Sequence, residues 1–176
     1  MDTPKKYYNW GDVERAAQSI IMQMYKDEWR PDYIVGLTRG GLPLAVLISH
    51  MASIRMETLK VKLRDLDDNE DGCESNCWMA EDAFGYNKEP TNILIVDDIN
   101  DTGATFNWIM KDWQSSCLPG DDKWQSVWNN NVRFATLTDN LASEFTEHCA
   151  YTCHEINKSE EDVWLVYPWE NVGQYG

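Results

Sequence analysis

The sequence predicts an α/β fold in which helices flank a mainly parallel central sheet. Short apolar runs, typical of buried strands, alternate along the chain with segments whose apolar residues recur at helical spacing. The apolar run at residues 93–96 is followed by a polar loop and then a helical segment, the order expected of a parallel strand and its crossover helix. With 176 residues, the chain has the usual length of one domain, and we predict a single domain over residues 1–176.

The first part of the chain predicts two helices around a strand. Apolar positions at helical spacing indicate a helix over residues 10–29, which Asn9 or Asp12 could cap. Residues 33–37 form a short apolar run and predict a buried strand. Residues 42–52 predict an apolar helix.

A strand with one basic face is predicted at residues 59–64, where apolar and basic residues alternate. The basic residues are Lys60, Lys62 and Arg64. They either form a solvated face or direct Arg64 towards a bound anion. The next segment, residues 65–90, is polar, acidic and longer than most connections in a compact domain, so it is either a flexible lid loop or a solvated insertion.

The second part of the chain predicts three more strands and another helix. The strands are at residues 93–96, 132–137 and 151–156, and the helix is at residues 104–114. Residues 115–131 are rich in Ser, Gly, Asp and Asn and are interpreted as an insertion. The aromatic C-terminal segment contains Pro168, which favours an edge strand or an extended piece.

The charge and hydropathy of the chain exclude several classes of protein. Its 15 basic and 30 acidic residues leave a formal net charge of -15, which repels nucleic acid, and no basic stripe is visible. No apolar run approaches the ~18 residues that a membrane span requires. The N-terminal residues lack the apolar core of a secretion signal. We therefore expect a cytoplasmic protein with no nucleic-acid or membrane partner.

The cysteines raise the question of a metal site. Their number, five, is odd and no secretion signal is present, which predicts reduced thiols rather than a disulfide framework. Cys73 and Cys77 share a spacing with Cys149 and Cys153, and two histidines flank the second pair, an arrangement that could bind zinc. This spacing is weaker evidence than the tighter spacing usual in zinc sites, and we interpret the cysteines as separate buried or loop residues.

The strongest functional signal lies where the central strand passes into the next helix. The residues of this phosphate loop are Thr102, Gly103, Ala104 and Thr105. Backbone N–H groups at the start of a helix, and the positive end of its dipole, favour an anion such as phosphate. Gly103 permits a close approach or a positive φ, and the threonine hydroxyls can donate further hydrogen bonds.

Three carboxylates precede the phosphate loop. Asp97 and Asp98 accept hydrogen bonds only, which suits ribose hydroxyls or a magnesium ion with its waters, and Asp101 lies nearer the loop. Carboxylates so close to a bound anion are unfavourable unless a cation or a hydroxyl-rich ligand lies between them. The combination predicts a phosphorylated ribose as the ligand.

The stretch ILIVDDINDTGAT, residues 93–105, resembles the signature of the type I phosphoribosyltransferases. The resemblance implies that Asp97 and Asp98 hold the ribose hydroxyls of phosphoribosyl diphosphate (PRPP) together with Mg2+, and that residues 102–105 hold its 5-phosphate. It also implies that Asp101 faces the acceptor base and handles its proton. In this family a ring nitrogen displaces diphosphate from the anomeric carbon, and Mg2+ stabilises the charge of the leaving group.

A second loop between a strand and a helix reads Thr38-Arg39-Gly40-Gly41. Glycine N–H groups can bind a second anion, and Arg39 supplies a forked cationic donor. Together with the central motif, this loop resembles the diphosphate loop of the xanthine-guanine and hypoxanthine enzymes of the family. We therefore assign Arg39 and Gly40 to the diphosphate, and Arg64 as well if the basic strand faces the site.

Both ends of the chain also resemble the bacterial xanthine-guanine enzymes, in which the C-terminal segment forms a hood over the base. The hood corresponds to residues 157–176 here. The resemblance implies that Trp164 stacks on a purine and that backbone groups of Trp164 and Leu165 read its edge. Asn140 stands where the family has a lysine that reads the 6-oxo group, and Val166 stands where the bacterial enzymes have an acid that contacts the 2-position. These two departures favour hypoxanthine or an unusual base over xanthine and guanine.

The resemblance implies a Mg2+-dependent purine phosphoribosyltransferase that uses PRPP and a 6-oxopurine such as hypoxanthine, guanine or xanthine in purine salvage. We expect it to be a homo-oligomer, either a dimer or a tetramer. The alternative is a non-catalytic regulator with the same fold that senses PRPP or a nucleotide. Retention of Asp101 favours the enzyme, because a sensor needs no proton-handling group.

Overall fold

The architecture was established from a computed structural model that describes residues 3–63 and 72–170. The chain follows the order β1 (Lys5–Tyr7), α1 (Trp10–Lys26), β2 (Tyr33–Thr38), α2 (Leu42–Ala52), β3 (Met56–Lys60), α3 (Cys77–Phe84), β4 (Ile93–Asn100), α4 (Ala104–Ser116), β5 (Val132–Asn140), β6 (Tyr151–Ile156) and β7 (Trp164–Val166). Short 3-10 helices lie at Asp122–Ser126 and Pro168–Glu170.

The central sheet has five strands in the order β3-β2-β4-β5-β6, and every neighbouring pair is parallel. The predicted α/β fold with a mainly parallel sheet and flanking helices is therefore confirmed. A separate two-stranded parallel sheet pairs β1 with β7 and so joins the two ends of the described chain. No helix among residues 3–63 and 72–170 is long and apolar enough to cross a membrane.

The two helices α1 and α2 cover one face of the sheet. Helix α1 begins with a capping box, in which the Asn9 side chain accepts from the N–H of Asp12 and the Asp12 carboxylate accepts from the N–H of Asn9. Both residues considered as caps thus take part. The apolar stripe of α1, including Val13 and Ile20, packs with α2 residues and with sheet residues such as Leu94 in one buried cluster.

The opposite face is covered by α3, α4 and the connection that follows α4. Its buried cluster is rich in aromatic side chains, among them Trp113, Trp124 and Phe134. The Trp124 and Trp128 rings stack with centroids 5.7 Å apart, and the Trp124 indole donates to the carbonyl of Cys117 at 2.8 Å. Part of the interpreted insertion at residues 115–131 is therefore core: it contains the end of α4 and a 3-10 helix anchored by tryptophans.

Residues 65–90 depart most from the prediction. Residues 64–71 lie outside the described part of the chain. Helix α3 falls in the remainder, and four of its side chains are buried in the aromatic face: Met79, Ala80, Ala83 and Phe84. The interpretation of this part as a lid loop or a solvated insertion is wrong, because its apolar residues recur at helical spacing and Asn76 caps the helix by accepting from the N–H of Met79.

The strand boundaries differ from the prediction because pairing with the neighbouring strand decides where each strand begins and ends. Strand β3 spans Met56–Lys60, earlier than the predicted residues 59–64. Strand β4 continues to Asn100 because Asp97, Ile99 and Asn100 remain in register with β5, which itself continues to Asn140. The acidic pair thus lies on the strand rather than in the loop that we predicted. Strand β1 was not predicted; it exists because β7 supplies its partner.

Candidate active site

The candidate site is a cleft of about 490 Å³ at the carboxyl end of β4. The predicted ribose, phosphate and proton-handling residues all line it: Asp97, Asp98, Asp101, Thr102, Gly103, Ala104 and Thr105. Lys62, from the predicted basic strand, and Glu170, from the C-terminal segment, line it as well. The carboxyl ends of parallel strands are where open α/β sheets bind their ligands.

The acidic pair occupies the last part of β4. One oxygen of the Asp97 carboxylate accepts from the N–H of Asp98 at 2.9 Å, and one oxygen of the Asp98 carboxylate accepts from the N–H of Ile99 at 2.8 Å. Burial raises the pKa of both aspartates, and the neighbouring charge of Asp98 raises that of Asp97 further. The pair is therefore unfavourable as two bare anions and is suited to hydroxyl donors or a cation.

The predicted diphosphate loop lies directly against this pair. A Cβ atom on Gly40 would lie 2.5 Å from an Asp98 carboxylate oxygen, and one on Gly41 would lie 2.4 Å from the Val96 carbonyl oxygen. Only glycine allows the loop backbone to come so close to β4. The Thr38–Arg39 peptide bond is cis, and Arg39 is exposed. Arg64, the other predicted diphosphate ligand, lies outside the described residues.

The phosphate loop is supported from below by residues 143–146. Gly103 has φ +90°, and a Cβ atom there would lie 2.2 Å from the backbone nitrogen of Phe145. The N–H of Glu144 donates to the Thr102 carbonyl at 2.8 Å, and the Asn107 amide donates to the Glu144 carbonyl at 3.0 Å. These contacts were not predicted, and they fix the start of α4, whose first N–H groups have no intrahelical partner; that of Ala104 donates to the Thr102 hydroxyl oxygen at 3.2 Å.

The third aspartate is paired with a lysine that was not predicted. The Lys158 ammonium lies 2.8 Å from a carboxylate oxygen of Asp101, and the two side chains are 27% and 33% exposed, respectively. The Asn140 amide nitrogen donates to the Asp101 carbonyl at 2.8 Å. The Asn140 side-chain oxygen accepts from the N–H of Lys158 at 3.0 Å. The residue predicted to read the base is thus buried and bound to its neighbours.

The described part of the hood is joined to the site through aromatic side chains. Trp164, predicted to stack on the base, is 62% exposed, whereas Leu165 is buried. The Tyr167 hydroxyl donates to the Asp98 carbonyl at 3.3 Å. The Tyr167 ring stacks on Tyr8 and on Trp169, with centroid distances of 5.3 and 4.9 Å. This stack ties the two chain ends to the strand that carries the acidic pair.

The cysteines form no metal site in the part of the chain that the structure describes. Among residues 3–63 and 72–170, no three His, Cys, Asp or Glu side chains converge as metal ligands. Cys149 packs against the aromatic face of the sheet and Cys153 against the opposite face, so the zinc interpretation has no support in this part of the chain. Asp97 and Asp98 fit a Mg2+ ion that draws most of its oxygen ligands from water and a ligand's phosphates.

Comparisons with known proteins agree with this geometry. The phosphoribosyl transferase domain family matches residues 5–169. A xanthine-guanine phosphoribosyltransferase from Cereibacter sphaeroides is 25% identical over 178 aligned positions, which cover 96% of this chain and 89% of that protein.

Solved structures share the fold at lower identity. A purine phosphoribosyltransferase from Pyrococcus horikoshii superposes with a TM-score of 0.61 at 22% identity, covering 96% of this chain and 95% of that one. A hypothetical protein from Neisseria gonorrhoeae with bound ppGpp superposes with a TM-score of 0.69 at 16% identity, covering 98% and 93%. Since the family match spans nearly the whole described chain and its signature residues line one cleft, this protein belongs to the phosphoribosyl transferase domain family.

Proposed function

We propose that this protein transfers the 5-phosphoribosyl group of PRPP to a 6-oxopurine and releases diphosphate, a purine salvage reaction. The observation that carries the proposal is a cleft lined by an acidic strand end and a helix start, with a glycine loop packed directly against that strand end. Each of the three suits one part of PRPP: hydroxyls, 5-phosphate and diphosphate. The relatives named as purine phosphoribosyltransferases support a purine as the acceptor.

In the proposed reaction, the bond between the anomeric carbon and the diphosphate oxygen breaks, and a bond to a purine ring nitrogen forms. Diphosphate leaves with the electron pair of the broken bond, and the ring nitrogen loses its proton. Asp101 would accept that proton, a role supported by its position in the cleft lining next to the phosphate loop. Mg2+, when bound, would offset the charge of the diphosphate.

The remaining residues bind and orient the sugar. Asp97 and Asp98 would accept hydrogen bonds from the ribose hydroxyls, and the N–H groups at the start of α4 would hold the 5-phosphate. Gly40 and Arg39 would hold the diphosphate close to Asp98. The ammonium of Lys62 adds a cation at the cleft wall.

The test is release of diphosphate from PRPP and Mg2+ in the presence of hypoxanthine, guanine, xanthine or adenine. We expect base-dependent release, and we expect Asp101→Asn to lower kcat by ~100-fold or more, the usual loss when a general base is removed. Asp122→Asn, which changes an exposed carboxylate at the start of the 3-10 helix Asp122–Ser126, is the matched control and should retain activity. Absence of release with every base would overturn the proposal.

A regulator that binds PRPP or a nucleotide without catalysis is the second candidate. The Lys158–Asp101 ion pair favours it, because this pair engages the carboxylate that would accept the proton. The Neisseria protein that binds ppGpp shares the fold. Calorimetric titration with PRPP and with ppGpp distinguishes the candidates: tight binding without turnover of any base supports the regulator. Light scattering tests the expected dimer or tetramer.

A further inference from the structure

Lys158 reaches the candidate site from the segment that follows β6. Its ammonium lies 2.8 Å from the Asp101 carboxylate, and its side chain keeps 27% of its surface exposed. It therefore lies against Asp101, a residue that lines the cleft, and is still partly accessible to a ligand. An ammonium has three N–H donors and no acceptor, so the contact with Asp101 occupies one donor and leaves two.

Asn140 holds Asp101 and Lys158 in place through hydrogen bonds to the backbone of both residues. Its amide nitrogen donates to the Asp101 carbonyl at 2.8 Å, and its side-chain oxygen accepts from the backbone N–H of Lys158 at 3.0 Å and of Ala142 at 3.2 Å. Its side chain is only 5% exposed. Asn140 is thus a buried clamp that fixes two backbone segments, and its polar atoms point into the protein rather than towards a ligand.

The register of β5 and β6 brings Asn140 and Lys158 together. Strands β5 and β6 end at the same edge of the sheet, where Asn140 pairs in register with Ile156. Lys158 lies two residues beyond that pair, so the strand register itself delivers its ammonium to the site. An amide at position 140 can bridge the two segments without placing a second positive charge beside Lys158, which a lysine there would do.

We propose that Lys158 is the residue that reads the acceptor base, and that Asn140 is a positioning residue for it. This inference rests on the proposed function. With one N–H on Asp101, the ammonium donates another to an exocyclic oxygen of the base. It would therefore favour an acceptor with an oxo group at that edge over one with an amino group, since an amino group is itself a donor. The same contact would position the base next to Asp101, the carboxylate proposed to accept its proton.

The test compares hypoxanthine with adenine, which carries an amino group in place of the oxo group. We expect Lys158→Gln to lower kcat/KM for hypoxanthine by ~10-fold or more while adenine changes little, so that the preference between them falls. The Kd of PRPP, measured by calorimetry, should change by less than ~3-fold, which is no more than a surface substitution outside a binding site usually causes. Lys158→Arg keeps a cationic donor and should restore part of the preference.

Two further variants separate recognition from folding. Lys111→Gln, on the outer surface of α4, is the matched control and should leave both activities unchanged. Asn140→Ala should lower activity with both bases alike, because it loosens the clamp without removing the donor. A normal hypoxanthine-to-adenine preference in Lys158→Gln would overturn this inference and leave the proposed function intact. A wild-type protein that releases no diphosphate with any base would overturn both.

Discussion

The two ends of the candidate site are built differently. The proposed sugar-phosphate end lies on regular elements, β4 and α4, and is fixed by backbone contacts so close that Gly41 and Gly103 admit no Cβ atom. The proposed base end is assembled from side chains of separate segments, including Asp101, Asn140 and Lys158, and its lysine is held through an ion pair. The first end is fixed by the backbone and is suited to a ligand that does not vary. At the second end, single side-chain substitutions can change which ligand is bound.

The largest effect is expected from Gly103→Ala at the sugar-phosphate end. The new methyl group would collide with the backbone of Phe145, so the phosphate loop must shift, and we expect kcat/KM to fall by ~100-fold or more. Gly120→Ala is the matched control: that glycine also has a positive φ, +81°, but nothing lies within 4 Å of the added Cβ atom. Equal losses in the two variants would show that backbone strain alone matters.

A smaller loss is expected from Gly40→Ala. The added Cβ atom meets the Asp98 carboxylate, a side chain that can move, so the fold should survive while the diphosphate loop is displaced. We expect the Kd of PRPP to rise by ~10-fold or more, as for other misplaced binding groups. Gly11→Ala, whose Cβ would come nearest to the side chains of Asn9 and Arg15, is the control for a glycine substitution elsewhere. Unchanged PRPP affinity would remove Gly40 from the site.

Trp164→Ala tests the base end. Loss of a stacking ring should raise the KM of the base by ~10-fold, the usual value of one stacked aromatic, and leave the Kd of PRPP unchanged. Because Trp164 is 62% exposed, the free energy of unfolding should change by less than ~0.5 kcal/mol. Trp78→Ala, which removes another largely exposed tryptophan, on α3, is the control. An equal rise in the KM of the base in both variants would contradict stacking at Trp164.

The smallest effect concerns the stability of the ligand-free protein. Burial raises the pKa of Asp97 above its ordinary value of 3.8, so the folded protein binds a proton more readily than the unfolded chain. The free energy of unfolding therefore falls as the pH rises from about 4 through the raised pKa. Asp97→Asn should reduce this fall, which thermal unfolding across pH 4 to 8 would measure. Glu14→Gln, on the exposed face of α1, should keep the wild-type slope.

The contrast between a site end built from one contiguous segment and one assembled from separate segments also explains what the sequence could predict. The motif at residues 93–105 is contiguous, so its strand, its loop and its helix could be placed from the sequence alone, although β4 proved longer. Helix α3 was missed because acidic residues mask its short apolar stripe. Lys158 and Asn140 meet only through the register of β5 and β6, which the sequence does not display. The adjacency of parallel strand ends was the one signal that could have suggested the pair.

The pairing of β1 with β7 has a consequence for the order of folding. Lys5 pairs with Trp164, so this small sheet closes a loop of almost the whole chain and carries a large entropic cost. We therefore expect this pairing to form late in folding. During synthesis, the proposed PRPP site on β4 and α4 should therefore form before the C-terminal segment that is proposed to cover the base.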